Sequence, residues 1–287
     1  MRTDSNTTIQ KSWTRCAFVA LRRFKGTRFL TGAALICAAL ISVVGCVELP
    51  PPARDQLSEA EKDYRNREYK GAATKLDDIL RQYPEYQQSA EAYYLRAQVR
   101  AVQNNKVAAL TDAKKCISLS HDADLTARAN ATAGAMCFEA GNHRDAVNFF
   151  EAALKKMPET PPTDLVRFRY AVSLQRIGDW RKARPAFATV YQRYPNSTLA
   201  NQARLMFEWP WDYYVIQCGA FRDAAAANKL AQKLQGNGVS ARVEQRQRLG
   251  ETLHTVCVGS YPKYELAQEA LRTVKSRSPA ATIEPGT

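Results

Sequence analysis

From residue 55 to residue 208, small apolar residues return at a fixed interval. Ala72, Ala109, Ala146 and Ala183 stand 37 residues apart, and twelve residues before each comes Ala60, Ala97, Gly134 or Ala171. Twelve residues after come Pro84, Pro158 and Pro195, with His121 at the second unit's place. A small side chain in each of two successive helices lets the pair approach closely, and proline ends the second helix. Gly141 and Gly178, each seven residues after the first small residue, suit the turn between helices because glycine tolerates positive φ. The pattern predicts four helical hairpins. Such pairs bury an apolar face only by stacking, which builds a superhelix with a concave groove.

The periodicity changes after Phe207-Glu208. Trp209-Pro210-Trp211 marks a boundary, and Tyr213–Cys218 has the β-branched and aromatic make-up of a strand. Residues 221–235 read as a helix closed by Gly236-Asn237-Gly238. Strands are expected at 239–247, 253–258 and 280–284, with a turn at Leu249-Gly250-Glu251 and a helix over 264–275. The order βαββαβ gives one sheet with two helices on one face, a ferredoxin-like or RNP-like α+β fold. Strand alternation turns Ile216, Cys218, Val256 and Val258 toward the helices. It leaves Tyr213, Val215, Gln217, Leu253, Thr255 and Cys257 for the open side.

The helical section resembles tetratricopeptide repeats, with three extra residues per unit. Leu76, Phe150 and Phe187 hold the large apolar position of the second helix, where the second unit has Ala113. Tyr69 and Trp180 open second helices where the other units have Lys106 and His143. The resemblance implies a groove for a peptide or extended protein segment. Tyr93, Arg96, Arg100, Arg167 and Tyr170 lie on first helices and are its candidate lining, packing and solvated roles being the alternatives.

The final section resembles the sporulation-related repeat (SPOR) domain over about residues 211–285. Tyr214-Val-Ile-Gln217-Cys-Gly219-Ala-Phe221 matches that family's opening strand and turn, and Thr255-Val-Cys-Val-Gly259-Ser-Tyr261 its third strand. The resemblance implies binding to peptidoglycan glycan strands freed of stem peptides. Gln217 is the leading candidate, since an amide both donates to and accepts from sugar hydroxyls and acetamides. Leu253 and Thr255 stand where family members often carry Trp and Arg. Arg246, Arg248, Tyr213 and Tyr261 are the side chains available to compensate.

At the other end, seven basic residues and one acid lie within residues 1–45, and Phe29–Val44 is uncharged. This is the layout of an export signal, or of a retained anchor of about 20 residues. Val43-Val44-Gly45-Cys46 resembles a bacterial lipobox, which implies acylation at Cys46. Val47 after it, rather than Asp, implies the outer membrane. The expected plan is a leader over 1–45, a Pro-rich linker over 46–54, repeats over 55–208 and a glycan-binding domain over 211–287.

The net charge of +13 suggests an anionic partner. The leader carries +6 of it, and residues 211–287 hold ten basic and seven acidic side chains, so nucleic acid is not expected. The histidines, His121, His143 and His254, form neither a triad nor a metal-binding spacing, and no cofactor motif occurs. A binding protein rather than an enzyme is expected, acting in cell division or envelope organisation, facing the periplasm and held to the membrane through lipid. The alternative is an assembly scaffold working mainly through the repeats. Cys116 and Cys137 fall on adjacent helices, where export permits a disulfide; Cys218 and Cys257 point to opposite faces and are not expected to pair.

Overall fold

The computed structural model describes residues 48–209, 211–248 and 251–285. The leader and Cys46 lie outside the described residues. Four hairpins follow one another: α1 (Pro51–Arg65) with α2 (Tyr69–Gln82), α3 (Ser89–Val102) with α4 (Lys106–Leu119), α5 (Ala123–Glu139) with α6 (His143–Leu154), and α7 (Thr163–Arg176) with α8 (Trp180–Arg193). A short α9 (Ala200–Glu208) packs against α8 and begins 37 residues after α7. The first helix starts at Pro51, inside the stretch expected to be a linker. Proline is tolerated in a first helical turn, whose N–H groups have no intrahelical acceptor. Among the described residues no helix is long and apolar enough to cross a membrane.

The 37-residue repeat is a packing repeat. Ala60, Ala72, Ala97, Ala109, Ala146, Ala171 and Ala183 are all at most 1% exposed, and Gly134 is buried with them. A Cβ on Gly134 would lie 2.5 Å from the Phe150 ring, so this helix pair is in contact across a bare backbone. The turn repeats too. Arg67, Asn104, Gly141 and Gly178, each 37 residues from the next, have φ of 65°, 60°, 79° and 88°. The residue after each is the N-cap of a second helix, and Asn105, Asn142 and Asp179 accept backbone N–H groups there. Only two of these four left-handed positions are glycine, which is why the turn was visible in two units alone.

Buried polar groups hold the stack in register. Arg96 and Arg100 close on the buried Asp112 carboxylate at 2.8–2.9 Å, and Arg96 also reaches Asp77 at 2.6 Å. Arg167 donates to Glu159 and to the Tyr194 hydroxyl. Tyr93 is buried and Tyr170 half-buried in the apolar clusters. Tyr93, Arg96 and Arg100 thus have partners within the packing, whereas Arg167 and Tyr170 also line a concavity with Arg181 and Pro185 of α8. Cys116 and Cys137 are free buried thiols.

The C-terminal domain has β1 (Tyr214–Phe221), α10 (Ala224–Gly236), β2 (Ala241–Arg248), β3 (Glu251–Tyr261), α11 (Tyr264–Lys275) and β4 (Thr282–Pro285). The sheet order is β2-β3-β1-β4, antiparallel throughout. Phe221, expected to open the helix, ends β1 instead and packs its ring into the helix-side core. The helix starts at Ala224, capped by the Asp223 carboxylate. Glu251, expected in a turn, begins β3, which extends three residues beyond Val258 to Tyr261.

Two predictions follow from this packing. Gly134→Ala should lower stability by about 1–3 kcal/mol by overpacking against Phe150, read as the shift in urea unfolding. A change within about 0.5 kcal/mol would mean that the two helices have room to part. His143, on α6, is 7% exposed, and burial together with the Arg176 guanidinium lowers its pKa to about 4. The unfolded chain takes that proton near pH 6.5, whereas the folded chain refuses it. The neutral histidine's contribution is therefore complete above pH ~6.5 and is lost as the pH falls toward about 4, up to roughly 3 kcal/mol. His143→Leu should flatten that part of the stability–pH curve; an unchanged slope would refute the assignment.

Candidate functional site

The sheet has a helix-facing side and a second face. Ile216, Cys218, Val256, Val258 and Ala241 form the core beneath α10 and α11. Cross-strand register then assigns the other face. Gln217 and Arg242 both lie opposite Cys257, Glu244 lies opposite Thr255, and Arg246 opposite Leu253. On the far side of β1, Val215 and Gln217 lie opposite Glu284 and Thr282 of β4. Cys218 falls at a register shift between Gln217 and Gly219, so the alternation resumes with Ala220 opposite Thr255.

This face is less open than alternation alone suggests. Val215 and Cys257 are fully buried, Thr255 is 1% exposed, and Gln217 and Leu253 are half-buried. Part of the cover comes from β2. Arg246 donates from Nη1 to Gln217 Oε1 at 3.2 Å and from Nη2 to Cys257 Sγ at 3.4 Å. Arg242 donates to Glu244 at 2.7 Å and to the Gly259 carbonyl at 2.8 Å. Tyr213 stands just outside β1, its ring 6.0 Å from that of Trp211.

The chemistry available is that of a hydrogen-bonding surface. Burial pushes the Cys257 thiol up to about 12 despite the Arg246 charge beside it, and burial also raises Cys218. Neither is a ready thiolate nucleophile. Gln217 sits centrally, between the β3 and β4 pairings, with the guanidinium of Arg246 on its carbonyl oxygen. Among the described residues Thr255 Oγ1 has no hydrogen-bond partner. Sequence reasoning missed Arg242 and Glu244. Their signal was the alternation Arg242-Val-Glu244-Gln-Arg246, which puts these three charges of β2 on one face.

A second concave site lies in the repeats. The first helices α1, α3 and α5 line a cleft of about 360 Å³ with Tyr64, Glu91, Tyr94, Leu95, Leu125 and Arg128 among its walls. Arg128 lies 5.2 Å from the centre of the Tyr94 ring. Burial first, then the negative charges of Glu61 and Asp122, raise the pKa of Glu91.

Comparison with known proteins agrees with both halves. Residues 212–283 match the SPOR domain, and residues 166–197 match a tetratricopeptide repeat. No curated protein matches the chain. Among solved structures it is similar to YrrB, "a TPR protein with an unusual peptide-binding site". The identity is 18% and the TM-score 0.46, over 53% of this chain and 72% of that one. The chain thus carries a SPOR domain behind tetratricopeptide-like repeats, both of which are binding modules.

Thr255→Val tests the sheet face without changing its shape. Removing a buried hydroxyl that lacks a partner should leave stability unchanged or raise it by about 1 kcal/mol. Thermal unfolding checks this, and a clear loss would reveal a partner for the hydroxyl.

Proposed function

We propose that this chain binds peptidoglycan glycan strands through the β1–β3 face of its C-terminal domain and holds an extended protein segment in its helical repeats. The observation that carries the reading is the SPOR match over 212–283, with Gln217 on β1 carrying the Arg246 guanidinium of β2 on its carbonyl oxygen. On this reading Gln217 turns from Arg246 to the sugar acetamides and hydroxyls. Val215, Leu253 and Cys257 form the apolar floor, with Thr255 beside them and Tyr213 at the margin. The lipobox-like Val43-Val44-Gly45-Cys46 adds an acyl anchor at Cys46, cleaved or uncleaved leader aside. The protein is then a periplasm-facing envelope lipoprotein, at the outer membrane rather than the inner, tethering wall to membrane during division or envelope organisation. Its task is binding, not catalysis.

A second reading, a scaffold acting mainly through the repeat cleft, is favoured by two observations. Arg246 already occupies the Gln217 carbonyl, and Leu253 and Thr255 replace the ring and charge that family members often carry there. Co-sedimentation of the purified chain with sacculi, before and after amidase removal of stem peptides, separates the two. Glycan recognition predicts binding that rises on denudation and falls about tenfold or more in Gln217→Ala, the loss of a desolvated amide's hydrogen bonds. If neither preparation is retained, the glycan reading fails and the cleft becomes the working surface.

A further inference from the structure

The C-terminal domain does not hang from the repeats by Trp209–Trp211 alone. Its β3–α11 turn sits on the turn of the fourth hairpin. Gly178 has φ of 88°, and a Cβ there would lie 2.9 Å from the Pro262 carbonyl oxygen, so the two backbones touch. Two residues on, the Trp180 indole N–H donates to that same oxygen at 3.0 Å. The Trp180 ring lies 5.1 Å from Tyr214 on β1, and Tyr214 lies 5.4 Å from Tyr264 at the start of α11. The Arg176 guanidinium, at the end of α7, covers the Tyr264 ring at 4.2 Å. Trp180 and Tyr214 are 6% and 4% exposed. At the margin Arg184 pairs with Asp212 at 2.7 Å.

Each half of this joint is incomplete without the other. Within the repeats, Trp180 presents an indole donor whose acceptor belongs to the C-terminal domain. Within the C-terminal domain, Tyr214 and Tyr264 present ring faces covered by Trp180 and Arg176. Buried aromatic pairs add attraction beyond their area, and a desolvated guanidinium over a ring adds more. The repeat register gives the joint a purpose. The α9 helix starts in the place of a fifth first helix but ends after nine residues, and the chain enters β1 instead of a fifth second helix. A helical stack needs its end closed by a unit with a polar outer face.

We propose that the C-terminal domain is locked onto the fourth hairpin as the terminal cap of the stack, so that its sheet and the repeat cleft form one rigid body. Only the ligands of the two surfaces rest on the function proposed above; the lock itself does not. With glycan on the sheet, the wall then dictates the orientation in which the cleft meets its partner.

Hydrogen exchange on the full chain without ligand tests the lock, and it stands apart from the outcome of the sacculus experiment. Tyr264→Ala should speed exchange about tenfold or more across residues 177–183 of the repeats, leaving α1 to α4 unchanged. Arg176→Ala should do the same across residues 261–267 of the C-terminal domain. Unaltered exchange on the opposite side of the joint in both variants would overturn the proposal. Should Tyr264→Ala unfold its own domain, seen as fast exchange over 214–285, Arg176→Ala alone decides.

Discussion

Close approach of helices at small residues is the constraint on which the rest of this molecule depends. An alanine or glycine at each of eight positions removes the side-chain volume that would hold two helices apart. The second helix then brings a larger group, Leu76, Phe150 or Phe187, into the space beside it. Protein interiors are packed too tightly for such a match to be approximate. The 37-residue interval follows directly, because each unit must return its small residues to the same place against its neighbour. The left-handed turn residues at 67, 104, 141 and 178 and the caps one residue later are locked to that interval.

What the sequence revealed, and what it hid, divides along the range of the interactions. The small residues and glycines act locally, so the hairpins and the βαββαβ order were legible from spacing alone. The helix-facing side of the sheet was legible too, since Ile216, Cys218, Val256 and Val258 follow the period of two. Arg67 and Asn104 take up glycine-like backbone without glycine's signature, and only the register with Gly141 and Gly178 exposes them. Arg96 and Arg100 looked like groove residues because their partner, Asp112, lies on the next helix and is itself buried. Charge counting along one helix cannot anticipate a pairing made across two.

The sheet face illustrates a further limit. Alternation assigns a side chain to a face but says nothing of what lies over it. Val215 and Cys257, expected on the open side, are fully buried, and the guanidinium of Arg246 reaches across from β2 to both Cys257 and Gln217. A residue expected to meet a ligand thus has a competitor within its own fold. A carbonyl that accepts from arginine is held in a defined orientation, and any sugar donor that replaces the guanidinium must match its geometry. On the proposed reading Arg246 must leave Gln217 for the glycan to bind, and Glu244, 3.7 Å away on the same strand, provides its second position.

Arg176 joins these two scales. Its Nη1 lies 3.3 Å from His143 Nε2 on the third unit, and the same guanidinium covers Tyr264 of the C-terminal domain. The contact with His143 is favourable only while that ring is neutral and its Nε2 can accept, and burial keeps it so down to a pH of about 4. A protonated imidazole would place a second positive charge against the guanidinium and weaken its hold on the position above Tyr264. The neutral histidine is therefore part of the support for the joint, acting through Arg176. The orientation of the sheet is in this way set by packing that begins one hairpin further back.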